Sequence, residues 1–187
     1  AGHTLLFRNY NEETEKYEFI QAGGIIVDIF PMSEWLINNF IWSFYRVKSA
    51  NDTQIQNALE FAESQLGKEF QHPYINKSYD PNNELDPNSD EWYCSELVWA
   101  AYFNCNHSVS EGILGEGIDI DFNGWELVGE EKYPTVMPGD IIKDDDVEEL
   151  GAAKDRTRTY SFITGSYFST FKLLNLIQLF LLSTNML

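Results

Sequence analysis

The sequence is poor in cysteine, histidine and base. Of its 187 residues only two are cysteine, Cys94 and Cys105, and three are histidine, His3, His72 and His107. On one continuous helix the two cysteines would stand roughly 16 Å apart, beyond disulfide reach unless the chain folds back after Phe103. No disulfide framework is therefore expected, and the cysteine count leaves the compartment open. Twelve Lys and Arg stand against 30 Asp and Glu, a formal charge of −18. Binding nucleic acid through its phosphates needs a basic face, so that class of partner is set aside. The opening, Ala1-Gly2-His3, has neither a basic n-region nor an apolar h-region. No signal peptide is read there, and cell envelope and cytoplasm both stay open.

What is present argues for a folded domain. Hydrophobic residues make up 43% and aromatics 15% of the chain, enough for a sizeable core in one domain. The charge is divided unevenly. Residues 1–150 carry 29 acids and 8 bases, net −21, whereas residues 151–187 carry 1 acid and 4 bases, net +3. We read 1–150 as the domain and 151–187 as an apolar C-terminal tail. From Ser161 to Leu187 the only charge is Lys172, and Leu173–Leu182 is mostly Leu, Ile and Phe. That run is too short to span a bilayer and is broken by Asn175 and Gln178. It is expected as a core or partner-facing helix, with membrane contact as the alternative.

Along the chain, His3–Arg8 alternates as a strand does, with Leu5 and Phe7 on one face and Thr4 and Leu6 on the other. Asn9–Glu15 is a polar turn, and Lys16–Gln21 returns with Tyr17, Phe19 and Gln21 on one side. Ala22-Gly23-Gly24 breaks it, and Gly24–Phe30 is a β-branched strand ended by Pro31. Ser33 is placed to cap a short helix carrying Trp35, Leu36 and Phe40, and Trp42–Val47 alternates again. Asn51 and Asp52 open a helix whose stripe is Ile55, Ala58, Leu59, Ala62 and Leu66, with Gly67 to stop it. A polar loop follows, from about Gln71 to Glu91. Its Asp86, Asn88 and Asp90 mimic the start of a calcium loop, but Glu91 stands where glycine is required and no bidentate acid follows. It is read as a solvated loop, and no metal or cofactor is expected. Gly115–Phe122 reads as a loop and short strand, Pro138-Gly139-Asp140-Ile141-Ile142 as a turn entering a strand, and Asp144–Glu149 as an acidic surface.

The stretch Tyr93-Cys94-Ser95-Glu96-Leu97-Val98-Trp99-Ala100-Ala101-Tyr102 carries the chemistry. Leu97, Val98 and Ala101 fall on one helical face. Cys94 then lies at the first turn, where unpaired N–H groups and the helix dipole favour a thiolate. The same N–H groups suit an oxyanion formed when that sulfur attacks a carbonyl. Weighed against this is a buried cysteine packed as a small hydrophobe. A cysteine nucleophile needs a base and a group to orient it. His72 lies on the polar loop and His107 in a surface turn, whereas His3 begins a strand, a rigid platform. On the neighbouring strand Glu18 and Gln21 are the polar candidates to orient it, and they face opposite sides. Glu96, in the first helical turn, suits the dipole and reads as structural.

Taken in order, Gly2-His3-Thr4, Phe19-Ile20-Gln21-Ala22, Ser33-Glu34-Trp35, Leu66-Gly67-Lys68 and Tyr93-Cys94-Ser95-Glu96-Leu97-Val98-Trp99 resemble the YiiX/YaeF-like permuted papain-fold cysteine hydrolases, kin of the NlpC-type cell-wall peptidases. The resemblance covers roughly residues 2–103, with Pro138-Gly139-Asp140 a weaker echo. It implies an α+β, permuted papain-like fold, in which a small antiparallel sheet packs against the cysteine helix. It further implies Cys94 as nucleophile, His3 as base and Gln21 as the third polar group. The chain departs from the family pattern in three places. Gln21 stands where glutamate is usual, Phe70-Gln71 stands where Tyr-Asp often follows, and the chain starts at Ala1 where the family has a further strand.

The function so implied is cleavage of an amide or ester bond through an acyl-enzyme on Cys94, on a peptide or a lipid acyl substrate. Kinship points to a cell-wall peptide amidase or peptidase. The alternatives are a lipid acyl hydrolase or acyltransferase of the same permuted fold, and a binding module that keeps the cleft without turnover.

Overall fold

The computed structural model describes residues 2–33, 42–71, 89–112, 115–121, 125–128, 131–152 and 179–183. Ten strands are present among them: β1 (Gly2–Asn11), β2 (Lys16–Gly23), β3 (Ile26–Met32), β4 (Trp42–Val47), β5 (Glu69–Phe70), β6 (Glu91–Trp92), β7 (Trp125–Val128), β8 (Glu131–Pro134), β9 (Val147–Ala152) and β10 (Leu179–Ser183). Eight form one sheet in the order β6-β5-β3-β2-β1-β10-β4-β9, while β7 and β8 pair separately. The large sheet is antiparallel except for the short β5–β6 pair. It is larger than the small sheet expected, because β4, β9 and β10 extend it beyond β1.

Two hairpins set its register. The side chain of Asn11 accepts from the N–H groups of Glu13 and Thr14 at 3.0 and 3.1 Å, an Asx turn that closes β1 onto β2. Gly24, at φ +71°, closes β2 onto β3 with a conformation that glycine adopts without a Cβ penalty. Gln21 thereby lies opposite Asp28. Pro31 does not end β3 but pairs with Glu18 inside it. Among the described residues, β5 pairs with β3 only at Ile26, so within them β3 is an edge at Pro31, where a residue without an N–H is tolerated.

Successive strand residues point to opposite faces, and Leu5 and Leu6 are both fully buried, so both faces of β1 are covered. Leu6, Ile20, Ala22 and Val27 join the main core with the helices. Leu5, Tyr17, Phe19, Met32 and Phe44 form a second cluster, with Phe7, Tyr10 and Phe30 packed against it.

Helix α1 (Asp52–Ser64) begins at a reciprocal capping box between Asn51 and Gln54, with both bonds at 3.0 Å. It buries Ile55, Ala58, Phe61 and Ala62. Leu66, expected in the stripe, lies past the helix end and is 39% exposed; Phe61, at i+3 from Ala58, fills the core instead. Helix α2 (Cys94–Phe103) buries every residue from Cys94 to Tyr102, so the one-faced stripe expected of it is a helix enclosed all round. A 3₁₀ turn follows at Val109–Glu111.

Three further expectations are corrected. Pro138–Ile141 is a short helix, α3, and not a turn into a strand, because the side chain of Asp140 accepts the Met137 N–H at 2.9 Å and closes a helical turn. Residues 115–121 contain no strand. Residues 179–183, expected within a helix, are strand β10, inserted between β1 and β4. The helix expected near Trp35, Leu36 and Phe40, together with Asp86 and Asn88, lies outside the described residues.

Candidate active site

The site forms where the start of β1 meets the first turn of α2. Lys68, Trp92, Tyr93 and Ser95 fix that turn from both sides. Before Cys94, the Lys68 ammonium donates to the Ser89 carbonyl at 2.9 Å and lies 5.9 Å from the Trp92 ring centre. The Trp92 indole N–H donates to Gln65 Oε1 at 3.2 Å, and the Gln71 N–H to the Trp92 carbonyl at 2.9 Å. The Leu66-Gly67-Lys68 motif thus anchors the approach to the helix. On the other side, the Tyr93 hydroxyl accepts the Val136 N–H at 2.8 Å and shares a hydrogen bond with Thr135 Oγ1 at 3.0 Å. Ser95 Oγ donates to the Val136 carbonyl at 2.6 Å. Cys94, between these two clamps, is 7% exposed.

His3 is held on β1 between two neighbours. β10 pairs with it directly, His3 opposite Leu182, while β2 pairs from Leu6↔Ile20 onward. Continuing that register puts His3 beside Gly23, with Gln21 diagonal on the same face. His3 Nε2 is 2.9 Å from Gln21 Oε1, and Gln21 Nε2 donates to Asp28 Oδ1 at 3.0 Å. A β-carbon at Gly23 would lie 3.4 Å from both His3 Cε1 and Gln21 Oε1, so glycine there leaves the face of the pair uncrowded.

Cys94 and His3 act on each other. Burial pulls the His3 pKa down, but the polar contact and charge of Cys94, the Gln21 bond and the Asp28 charge together raise it above its ordinary value. Burial pushes the Cys94 thiol up, but the His3 contact and charge, with the Thr4 backbone N–H and the Ser95 side chain, bring it below the ordinary thiol value. Each group therefore favours the charged form of the other.

The structure thus brings together Cys94, His3 and Gln21. Glu18, the other polar candidate on β2, is engaged by Arg8 at 2.6 Å and Asn11 at 2.8 Å. His107 lies beyond α2, its Nδ1 3.9 Å from Glu111, and His72 falls outside the described residues. Asp28 was not legible as a site residue from composition or motif. Its signal was the hairpin: a two-residue turn at Gly24-Ile25 pairs position 21 with 28. Among the described residues no group of three or more His, Cys, Asp and Glu is placed to hold a metal ion, and no helix is long and apolar enough to cross a membrane.

A cysteine-bearing helix packed on an antiparallel sheet, with the histidine strand ahead of it in sequence, defines a papain-like cysteine hydrolase fold in permuted order. Residues 2–151 match the family described as permuted papain-like amidase enzymes, YaeF/YiiX, C92 family, and the chain belongs to that family. Among solved structures, one described as metalloprotein yiiX from Escherichia coli O157:H7 aligns over 81% of this chain and 96% of its own, at 14% identity and a TM-score of 0.46. No curated protein matches this chain.

Proposed function

We propose that the protein hydrolyses an amide or ester bond through a thioester on Cys94, with His3 as the proton carrier. What supports this reading is the placement of Cys94 at the first turn of α2 and of a His3 ring whose Nε2 is committed to Gln21, each favouring the charged form of the other. That commitment leaves Nδ1 to serve the sulfur.

In the first step Cys94 gives its proton to His3, and Sγ bonds to the substrate carbonyl carbon. The carbonyl oxygen becomes an oxyanion. α2 starts at Cys94, so the Cys94 N–H has no carbonyl partner within the helix and suits that charge. The carbon–nitrogen or carbon–oxygen bond then breaks, and the leaving group takes the proton from His3. Water attacks the thioester, giving its proton to His3 while a second oxyanion forms. The carbon–sulfur bond breaks, the carboxylic acid leaves and the proton returns to Cys94. Membership of an amidase family favours an amide, and a peptide one first, over an ester or a lipid acyl group.

The test is to incubate the protein with p-nitroanilide and p-nitrophenyl acyl compounds and examine it by mass spectrometry. Expected are an acyl adduct on Cys94 and release of nitroaniline or nitrophenol, with both lost in Cys94→Ala and strongly slowed in His3→Ala. Absence of an adduct on Cys94, or an equal yield in His3→Ala, refutes the reading.

A further inference from the structure

We infer that Asp28 is a positioning residue of this site, acting on His3 through the Gln21 amide. The inference rests on the Cys94–His3 reading and deepens it.

A glutamine side chain can present either its oxygen or its nitrogen to a histidine, since the two ends of the amide have nearly the same shape. With only His3 as partner, the two orientations of Gln21 compete, and the wrong one faces His3 Nε2 with an N–H. Asp28 removes that freedom. As a carboxylate it only accepts, so the Gln21 group 3.0 Å from its Oδ1 must be the NH₂ end. The carbonyl end then faces His3 Nε2 at 2.9 Å and also only accepts. His3 Nε2 must therefore carry a proton, which leaves Nδ1 as the atom that exchanges a proton with Cys94. Donor and acceptor roles are set in one direction along Asp28, Gln21 and His3.

The fold holds this chain of contacts in place. Gln21 and Asp28 are direct cross-strand partners in β2 and β3, and the turn at Gly24 fixes their register, so both side chains leave the sheet on one face. Asp28 also supplies the negative charge that a neutral amide lacks. Among the described residues, the titratable groups acting on His3 are Cys94 from α2 and Asp28 from β3, and Gln21 from β2 is the neutral link between ring and carboxylate.

The test is the rate of Cys94 alkylation by iodoacetamide from pH 5 to 9, on the full chain, in four proteins: wild type, His3→Ala, Asp28→Asn and the exchanged pair Gln21→Glu/Asp28→Asn. In Asp28→Asn the side-chain amide at position 28 can donate as well as accept, so it no longer dictates the orientation of Gln21, and it carries no charge. This variant is expected to react about tenfold more slowly than wild type at pH 6, with the two rates converging at pH 9. In the exchanged pair the amide at position 28 donates to the carboxylate at position 21, which accepts from His3, so reactivity at pH 6 returns. A purely structural role for Asp28 would lower stability without reshaping the profile. Superimposed profiles of Asp28→Asn and wild type, with His3→Ala slowed, overturn the role of Asp28 and leave the Cys94–His3 reading intact. Ordinary slow-thiol behaviour in wild type, unaffected by His3→Ala, overturns both. If Asp28→Asn fails to fold, a further variant, Asp28→Ser, decides: slowed alkylation at pH 6 that converges with wild type at pH 9 supports the inference, and a profile superimposed on wild type overturns it.

Discussion

Replacing Tyr93 by Phe removes one oxygen atom from the clamp beside Cys94. That oxygen accepts the Val136 N–H at 2.8 Å and shares a bond with Thr135 Oγ1 at 3.0 Å. Tyr93, Thr135 and Val136 are only 1%, 2% and 0% exposed, so no solvent stands by to replace it. The orphaned Val136 N–H costs about 1–3 kcal/mol, and the lost bond to Thr135 about 1 kcal/mol more. The ring itself stays, so no cavity term adds. We therefore expect a loss of about 2–4 kcal/mol in urea denaturation with an unchanged m-value, and a Tm lower by about 4–16 °C for a domain of this size. The tyrosine hydroxyl is held well above its ordinary pKa by burial, with the Glu96 charge adding to it. Wild-type protein should accordingly show no phenolate absorbance from Tyr93 until it unfolds in alkali. Loosening this clamp also frees the turn that presents Cys94, so alkylation should slow in the folded variant. A stability change below about 0.5 kcal/mol would refute the reasoning, because a buried N–H cannot lose its acceptor at so small a cost.

Leu97→Ala empties a fully buried position in the enclosed helix α2 and should cost about 2–5 kcal/mol in the same denaturation assay. Asn51→Ala removes the side-chain acceptor of the Gln54 N–H from the exposed capping box that opens α1, leaving the bond from its own backbone N–H to Gln54, and should cost about 1 kcal/mol, with no change in Cys94 alkylation.

The parts of the fold legible in the sequence were those set by local pattern. Alternation over His3–Arg8 and Lys16–Gln21 marked the two strands, but which of Glu18 and Gln21 shares the His3 face depends on the register shift between Phe7 and Asn9, which alternation does not show. Asn51 with Asp52 marked the start of α1, since a cap acts on its own neighbours. What stayed hidden depended on distant chain. Leu66 fits the helical stripe as well as Phe61 does, and only Gln65 as C-cap, with the Gly67 N–H bonded to Val27 across the turn, decides which is inside. Leu179–Ser183 is too apolar to alternate, so periodicity could not separate strand from helix; its pairing with β1 and β4 did. Cys94 and His3 were legible as chemistry, but Asp28 reads as an ordinary polar residue until the Gly24 turn brings it to Gln21.

The position of β10 has a consequence for the order in which the protein matures during synthesis. β1 and β2 can pair as soon as their hairpin leaves the ribosome, but the other side of β1 waits for residues 179–183. Until then β1 and β4 each present an unpaired edge, and the strand bearing His3 is supported on one side only. The ring and the sulfur are both made by the time residue 94 is added, well before the second neighbour of the strand that carries His3.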